Sequence, residues 1–126
     1  MANHPGIERF VRDILGCSCP DEVFRDIGRA ALTDAPWYLQ IRVGGRLLIY
    51  LADADRADSL PALVAAALHH GVAERDRDGF NRFRLVLCGA APEGLRAVAE
   101  QAFADAPERD ERTHLHLVEA ACVAGL

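Results

Sequence analysis

The stretch WYLQIRVGGRLLIYLAD, Trp37 to Asp53, decides the fold. Its first part, WYLQIRV, alternates apolar and polar residues as a half-buried strand does. From Arg46 to Asp53 the chain is nearly continuous in apolar residues, which suits a strand covered on both faces. Gly44 and Gly45 lie between the two parts, and their tolerance of positive φ fits a two-residue hairpin turn. A sheet with an antiparallel pair is the expectation.

Downstream of this hairpin, strands and helices alternate. Leu60, Leu63, Val64, Ala67 and Leu68 recur at helical spacing, which predicts a helix over 59–70 with Gly71 as its stop. The polar run AERDRDGFN then reads as an exposed loop. FRLVLCG, Phe83 to Gly89, reads as a third strand. PEGLRAVAEQAFADA, Pro92 to Ala106, reads as a helix with Leu95, Val98, Ala99, Ala102 and Phe103 inward. Pro107 and the charged ERDER make a solvated loop, and THLHLVEA, Thr113 to Ala120, reads as the last strand.

Upstream, Ile7, Phe10, Val11, Ile14 and Leu15 mark one face of a short helix ended by Gly16. A second helix is expected from Pro20, with Asp21 and Glu22 in its first turn and Val23, Phe24 and Ile27 buried. The element order is then α-α-β-β-α-β-α-β. Strand-helix alternation implies parallel crossovers, so a single α/β domain over 1–126 with a four-stranded mixed sheet is expected. In the order 1-2-3-4 the two crossover helices share one face and the N-terminal pair covers the other.

Composition narrows the chemistry. With 126 residues and 51% apolar content the chain can bury a core as one domain. All 14 basic residues are arginine, so neither a Walker lysine nor a Schiff-base lysine is available. Only Ser18 and Ser59 are serine, and neither lies in a G-x-S-x-G elbow. The net charge of −5 and the scattered arginines argue against a nucleic-acid partner. The N-terminus, MANHPGIERFVRD, carries charges within its first ten residues and no apolar core of the length a signal peptide requires, and no window approaches the apolar run that spans a bilayer. A cytoplasmic protein away from the membrane is expected, with its four cysteines as thiols.

Those cysteines raise the functional question. In GCSCPDEVF, Gly16 to Phe24, Cys19 falls at the N-cap of the expected second helix, where dipole and free N–H groups favour a thiolate. Asp21 and Glu22 oppose that effect. Metal ligation, thiol redox work and a plain helix entrance all give this pattern. In open α/β sheets ligands bind beyond the carboxyl ends of parallel strands. Those ends carry Asp53 and Asp55, Cys88, and Glu119 with Cys122. Convergence of Cys17, Cys19, Cys88 and Cys122 would suit zinc or an iron-sulfur cluster. His114 and His116 flank Leu115 on one strand face and could share a metal with a third ligand.

The motif GCSCPDEVF also resembles a G-C-x-C-P-x-E-V-F signature of small uncharacterised prokaryotic proteins, matching at Gly16, Cys17, Cys19, Pro20, Glu22, Val23 and Phe24. The resemblance implies a recurring unit and transfers no catalytic residue. The expected function is a small binding or regulatory module of unknown ligand, thiol-redox or metal-responsive through the C-x-C pair. Two alternatives stand beside it. One is a protein-interaction module without chemistry, a homodimer formed through the exposed edge of the first or fourth strand. The other is a small-metabolite enzyme whose pocket holds Asp53, Asp55, Cys88 and Glu119.

Overall fold

A computed structural model describes residues 5–14, 26–32, 36–56, 59–123 and 126. The motif around Cys17 and Cys19, and the start of the expected second helix, lie outside these residues. The chain opens with helix α1, Pro5–Arg9, continued by a wider π-helical turn over Phe10–Ile14. Strands β1 (Ile27–Ala31), β2 (Leu39–Val43) and β3 (Leu47–Asp53) follow. Helix α2 (Leu60–Asp78), β4 (Arg82–Gly89), α3 (Pro92–Asp105), β5 (Thr113–Glu119) and a last turn α4 (Ala120–Val123) complete the chain.

The architecture is α/β with an open mixed sheet, which among the described residues has five strands in the order β1-β2-β3-β4-β5, one more than expected. β1 pairs antiparallel with β2 and β2 antiparallel with β3, whereas β3, β4 and β5 run parallel. The added strand is IGRAA, so Ile27, read from sequence as a helical residue, is strand. Its physical reason is the outer edge of β2, whose backbone groups take Ile27 through Ala31 as partners. That pairing covers the edge of the first strand expected from sequence, so it is not open to a second copy.

The hairpin also differs in detail. Gly44 and Gly45 do have positive φ, at 59° and 66°, and Arg46 N donates to Val43 O at 3.0 Å. Register pairs Val43 with Leu47, so the connection is three residues long. Arg46 leaves the hairpin because its carbonyl accepts from Asn81 and Arg82 at the start of β4.

Helix α2 begins as expected. Ser59 Oγ accepts from Ala62 N at 3.3 Å, and a proline sits in the first turn. It runs eight residues past the expected end and stops at Gly79, whose φ of 79° makes it the left-handed cap. Gly71 is therefore not a stop. It lies mid-helix against Phe83, whose ring would come within 2.2 Å of a Cβ at that position. The expected loop AERDRDGFN is helical through Asp78, because Arg75 is buried and tied to Asp110 by two bonds of 2.9 and 2.7 Å and to Thr113 by one of 3.1 Å.

Alternation sorts the sheet into two cores. Leu48, Tyr50, Ala52, Phe83, Leu85 and Leu87 point to α2 and α3, packing on Leu63, Val64, Ala67, Leu68 and Ala99. Val98, expected inward, is 46% exposed on α3. On the other face Leu39, Ile41, Val43, Leu47, Ile49, Leu51, Val86, Cys88 and Val118 meet Ile7, Phe10 and Val11, together with Val123 of α4. Ala120, expected to end the last strand, begins that helical turn. Among the described residues no helix is long and apolar enough to cross a membrane.

Candidate functional site

Beyond the carboxyl end of β3 the chain makes a short 3-10 turn, Ala54–Arg56, before α2 begins. Asp55 N donates to Asp53 Oδ1 at 3.0 Å, and Ala90 N donates to Asp55 Oδ2 at 2.8 Å. A Cβ at Gly89 would lie 3.0 Å from Asp55 Oδ1, so Asp55 is packed onto the turn that leaves β4. Asp53 stays at the rim with Arg56 Nε 3.6 Å from its carboxylate, an exposed pair of little energetic weight.

Next to this turn is a cavity of about 800 Å³, lined by Pro36, Tyr38, Asp53, Arg56, Ser59, Ala62, Leu63 and Ala66. Each wall has a local cause. Tyr38 is fixed by backbone bonds, its N–H donating to Leu51 O and its carbonyl accepting from Leu32 N, both at 2.9 Å. Ser59 is the cap of α2, and accepting from Ala62 N leaves its hydroxyl hydrogen able to donate. The small side chains Ala62 and Ala66, a turn apart on α2, leave the space open. The lining surface is mostly carbon, with polar groups from Tyr38, Asp53, Arg56 and Ser59, the usual make-up of a small-molecule site.

Behind the cavity, Tyr38 Oη lies 3.8 Å from Cys88 Sγ, and Cys88 Sγ donates to Ala52 O at 3.4 Å. Burial raises the Cys88 pKa and the nearby Asp53 and Asp55 charges add to it, while the Tyr38 contact works the other way. Burial, followed by the contact with Cys88, also raises the Tyr38 pKa. Both groups are protonated near neutral pH, so Cys88 is a buried thiol and not an activated nucleophile.

Glu119 and Cys122 belong elsewhere. They line a second recess of about 500 Å³ with Ala90, Ala91, Glu93, Leu117 and Val118. The strand-end residues therefore divide between two hollows: Asp53 at the larger, Glu119 at the smaller, Asp55 between them as a brace. Cys88 is buried and Cys122 is exposed. Cys17 and Cys19 lie outside the described residues. Among the described residues no group of three or more His, Cys, Asp or Glu side chains is placed to hold a metal ion.

His114 and His116 do share one face of β5, and their neighbours are arginines. Arg82 Nη1 lies 3.0 Å from His114 Nε2, and Arg84 Nη1 lies 2.9 Å from His116 Nε2. Register sets Arg84 directly opposite His114, so each bond reaches diagonally across the strands. Burial, then the Arg84 charge, lowers both imidazole pKa values, that of His116 to about 4.

A further polar group was not singled out in the sequence. Glu74 of α2 accepts hydrogen bonds from Gln40, Arg42 and Tyr50, and Arg42 also lies 3.1 Å from Asp78. Tyr50 is stacked on Trp37 at 4.6 Å and meets Phe83 edge-on at 4.9 Å. This group ties α2 to the sheet. Tyr38, Arg56 and Ser59 were not singled out as site residues either; the strand-end rule that selects Asp53 points to their neighbourhood, but not to them. Compared with known proteins, the chain matches no family model, no curated protein and no solved structure.

Proposed function

We propose that this chain is a small-molecule-binding module whose ligand occupies the cavity between the carboxyl end of β3 and the start of α2. One observation carries the reading: a space of about 800 Å³ with a wall of Pro36, Ala62, Leu63 and Ala66 and with Tyr38, Asp53, Arg56 and Ser59 supplying polar contacts. Its position at the end of a parallel strand is where open α/β sheets receive ligands. The ligand class is a compact, largely carbon molecule with a hydrogen-bonding group for Asp53 or Ser59. Binding is the reading the cavity supports, and Cys88 beside it is a buried thiol whose pKa burial raises.

Benzyl alcohol is a suitable neutral probe. Added to the ¹⁵N-labelled full chain, it is expected to give saturable amide shifts over 53–66 and at Tyr38. Ala62 is exposed on the cavity wall, so Ala62→Trp fills the space without entering the core. That variant is expected to keep the native spectrum elsewhere and to lose the shifts. Shifts that spread over the whole surface, or that persist in Ala62→Trp, would remove the reading.

A further inference from the structure

The apolar face under α1 ends abruptly at the amino-terminal halves of β4 and β5. There the alternation that delivers Val86 and Val118 to the core delivers Arg82, Arg84, His114 and His116 instead. All four side chains are half-buried, and among the described residues they pair only within the group and with one carbonyl, Glu111 O, 3.4 Å from Arg82 Nη1. A guanidinium can only donate, so Nε2 of each imidazole must accept, which leaves the ring proton on Nδ1. Every polar valence left over is then an N–H. One of these, Arg84 Nε, is buried and has no acceptor among the described residues.

The arrangement sets Arg82 and Arg84 apart from the other described arginines that are buried or half-buried. Arg42, Arg75 and Arg96 each hold a carboxylate. Neither Arg82 nor Arg84 meets one among the described residues, although the chain carries 19 acidic residues and a net charge of −5. Two guanidinium groups two residues apart on one strand face repel each other, and burial of Arg84 adds to the cost. An oxyanion would meet the buried donor, relieve the repulsion and take charge-assisted hydrogen bonds from a planar fork.

We propose that Arg82, Arg84, His114 and His116 form a binding site for the oxyanion group of a small ligand, a phosphate or a carboxylate, on the sheet face opposite α2 and α3. Arg84 supplies the buried donor, Arg82 the more open charge, and the two imidazoles hold the guanidinium groups in place through Nε2 while offering Nδ1–H to the anion. The site does not depend on the cavity at the start of α2, and its residues do not line that cavity.

The test is a titration of the full chain with inorganic phosphate and, separately, with acetate, at constant ionic strength held by chloride. The readouts are the imidazole nitrogen resonances of His114 and His116. Saturable movement at one equivalent is expected with at least one of the two anions, and the anion that saturates names the ligand group. Arg82→Gln and Arg84→Gln are each expected to weaken binding tenfold or more. Arg84→Lys is expected to recover only part, because it restores charge without the fork. Should Arg84→Gln fail to fold, Arg82→Gln decides alone. Shifts that rise equally with chloride, or an affinity unchanged in Arg82→Gln, overturn the assignment.

Discussion

Replacing Gly71 by alanine sets two effects of opposite sign against each other. In an exposed helix interior, alanine is favoured over glycine by about 1 kcal/mol. Here the new Cβ would lie 2.2, 2.4 and 2.5 Å from three atoms of the Phe83 ring, where ordinary contact begins near 3.4 Å. The ring must therefore retreat by more than 1 Å. It has little room to do so, since Phe83 is fully buried and its ring meets Tyr50 at 4.9 Å. Overpacking of this kind costs about 1–3 kcal/mol or more, and the upper part of the range applies where the neighbours are also fixed. The net expectation for Gly71→Ala is destabilisation by about 2 kcal/mol, or roughly 6–10 °C in Tm for a domain of this size. Urea unfolding followed by circular dichroism gives the number directly. Phe83→Ala supplies the control: in that background the clash is gone, and Gly71→Ala should become neutral or stabilising. A single variant as stable as the parent would refute the close approach of helix and ring, and with it the seating of α2.

Two further outcomes follow from the titrating groups. The folded pKa of His116 is depressed to about 4 by burial and by Arg84, while the unfolded chain titrates near 6.5. The unfolded state therefore binds more protons between these values. The contribution of His116 is complete above about pH 6.5 and is lost as pH falls toward 4, so His116→Gln should flatten stability against pH in that window. An NMR titration that places His116 near 6.5 would contradict this. Iodoacetamide labelling of the native chain, read by peptide mass spectrometry, should modify exposed Cys122 and leave Cys88 unmodified until denaturant is added. Equal native-state labelling of both would show that Cys88 is not held as described.

The hairpin and the two parallel crossovers were legible because their signals are local. Alternation from Leu39 to Val43 and continuous apolar residues from Leu47 to Ala52 declare strands wherever they occur. IGRAA carries no such signal, with one buried residue in five, and becomes β1 only because β2 offers an unpaired edge. Gly71 misled for a related reason. A glycine near polar residues resembles a helix stop, and only the approach of Phe83, distant in sequence, gives it another purpose. For the candidate site, the strand-end rule found Asp53 and Asp55 but could not divide Glu119 from them, since that separation depends on how the turn after β4 is braced. His114 and His116 were visible as a pair, whereas Arg82 and Arg84 become their partners through a register no single strand encodes.

The carboxylate of Glu74 has a consequence for the uniqueness of the fold. Apart from Gly71 and Arg75, the buried stripe of α2 is made of Leu63, Val64, Ala67, Leu68 and Val72, side chains that a sheet face can accept in several nearly equivalent seatings. A helix held by such a stripe alone is free to shift by a turn or roll by part of one at little cost. Glu74 draws donors from two different strands, Gln40 and Arg42 on β2 and Tyr50 on β3, and only one translation and one rotation of α2 bring all three to a single carboxylate. It acts as an index pin, turning a greasy contact into a keyed one. The cavity wall formed by Ala62 and Ala66 on the same helix is held in place by that key about two to three turns away.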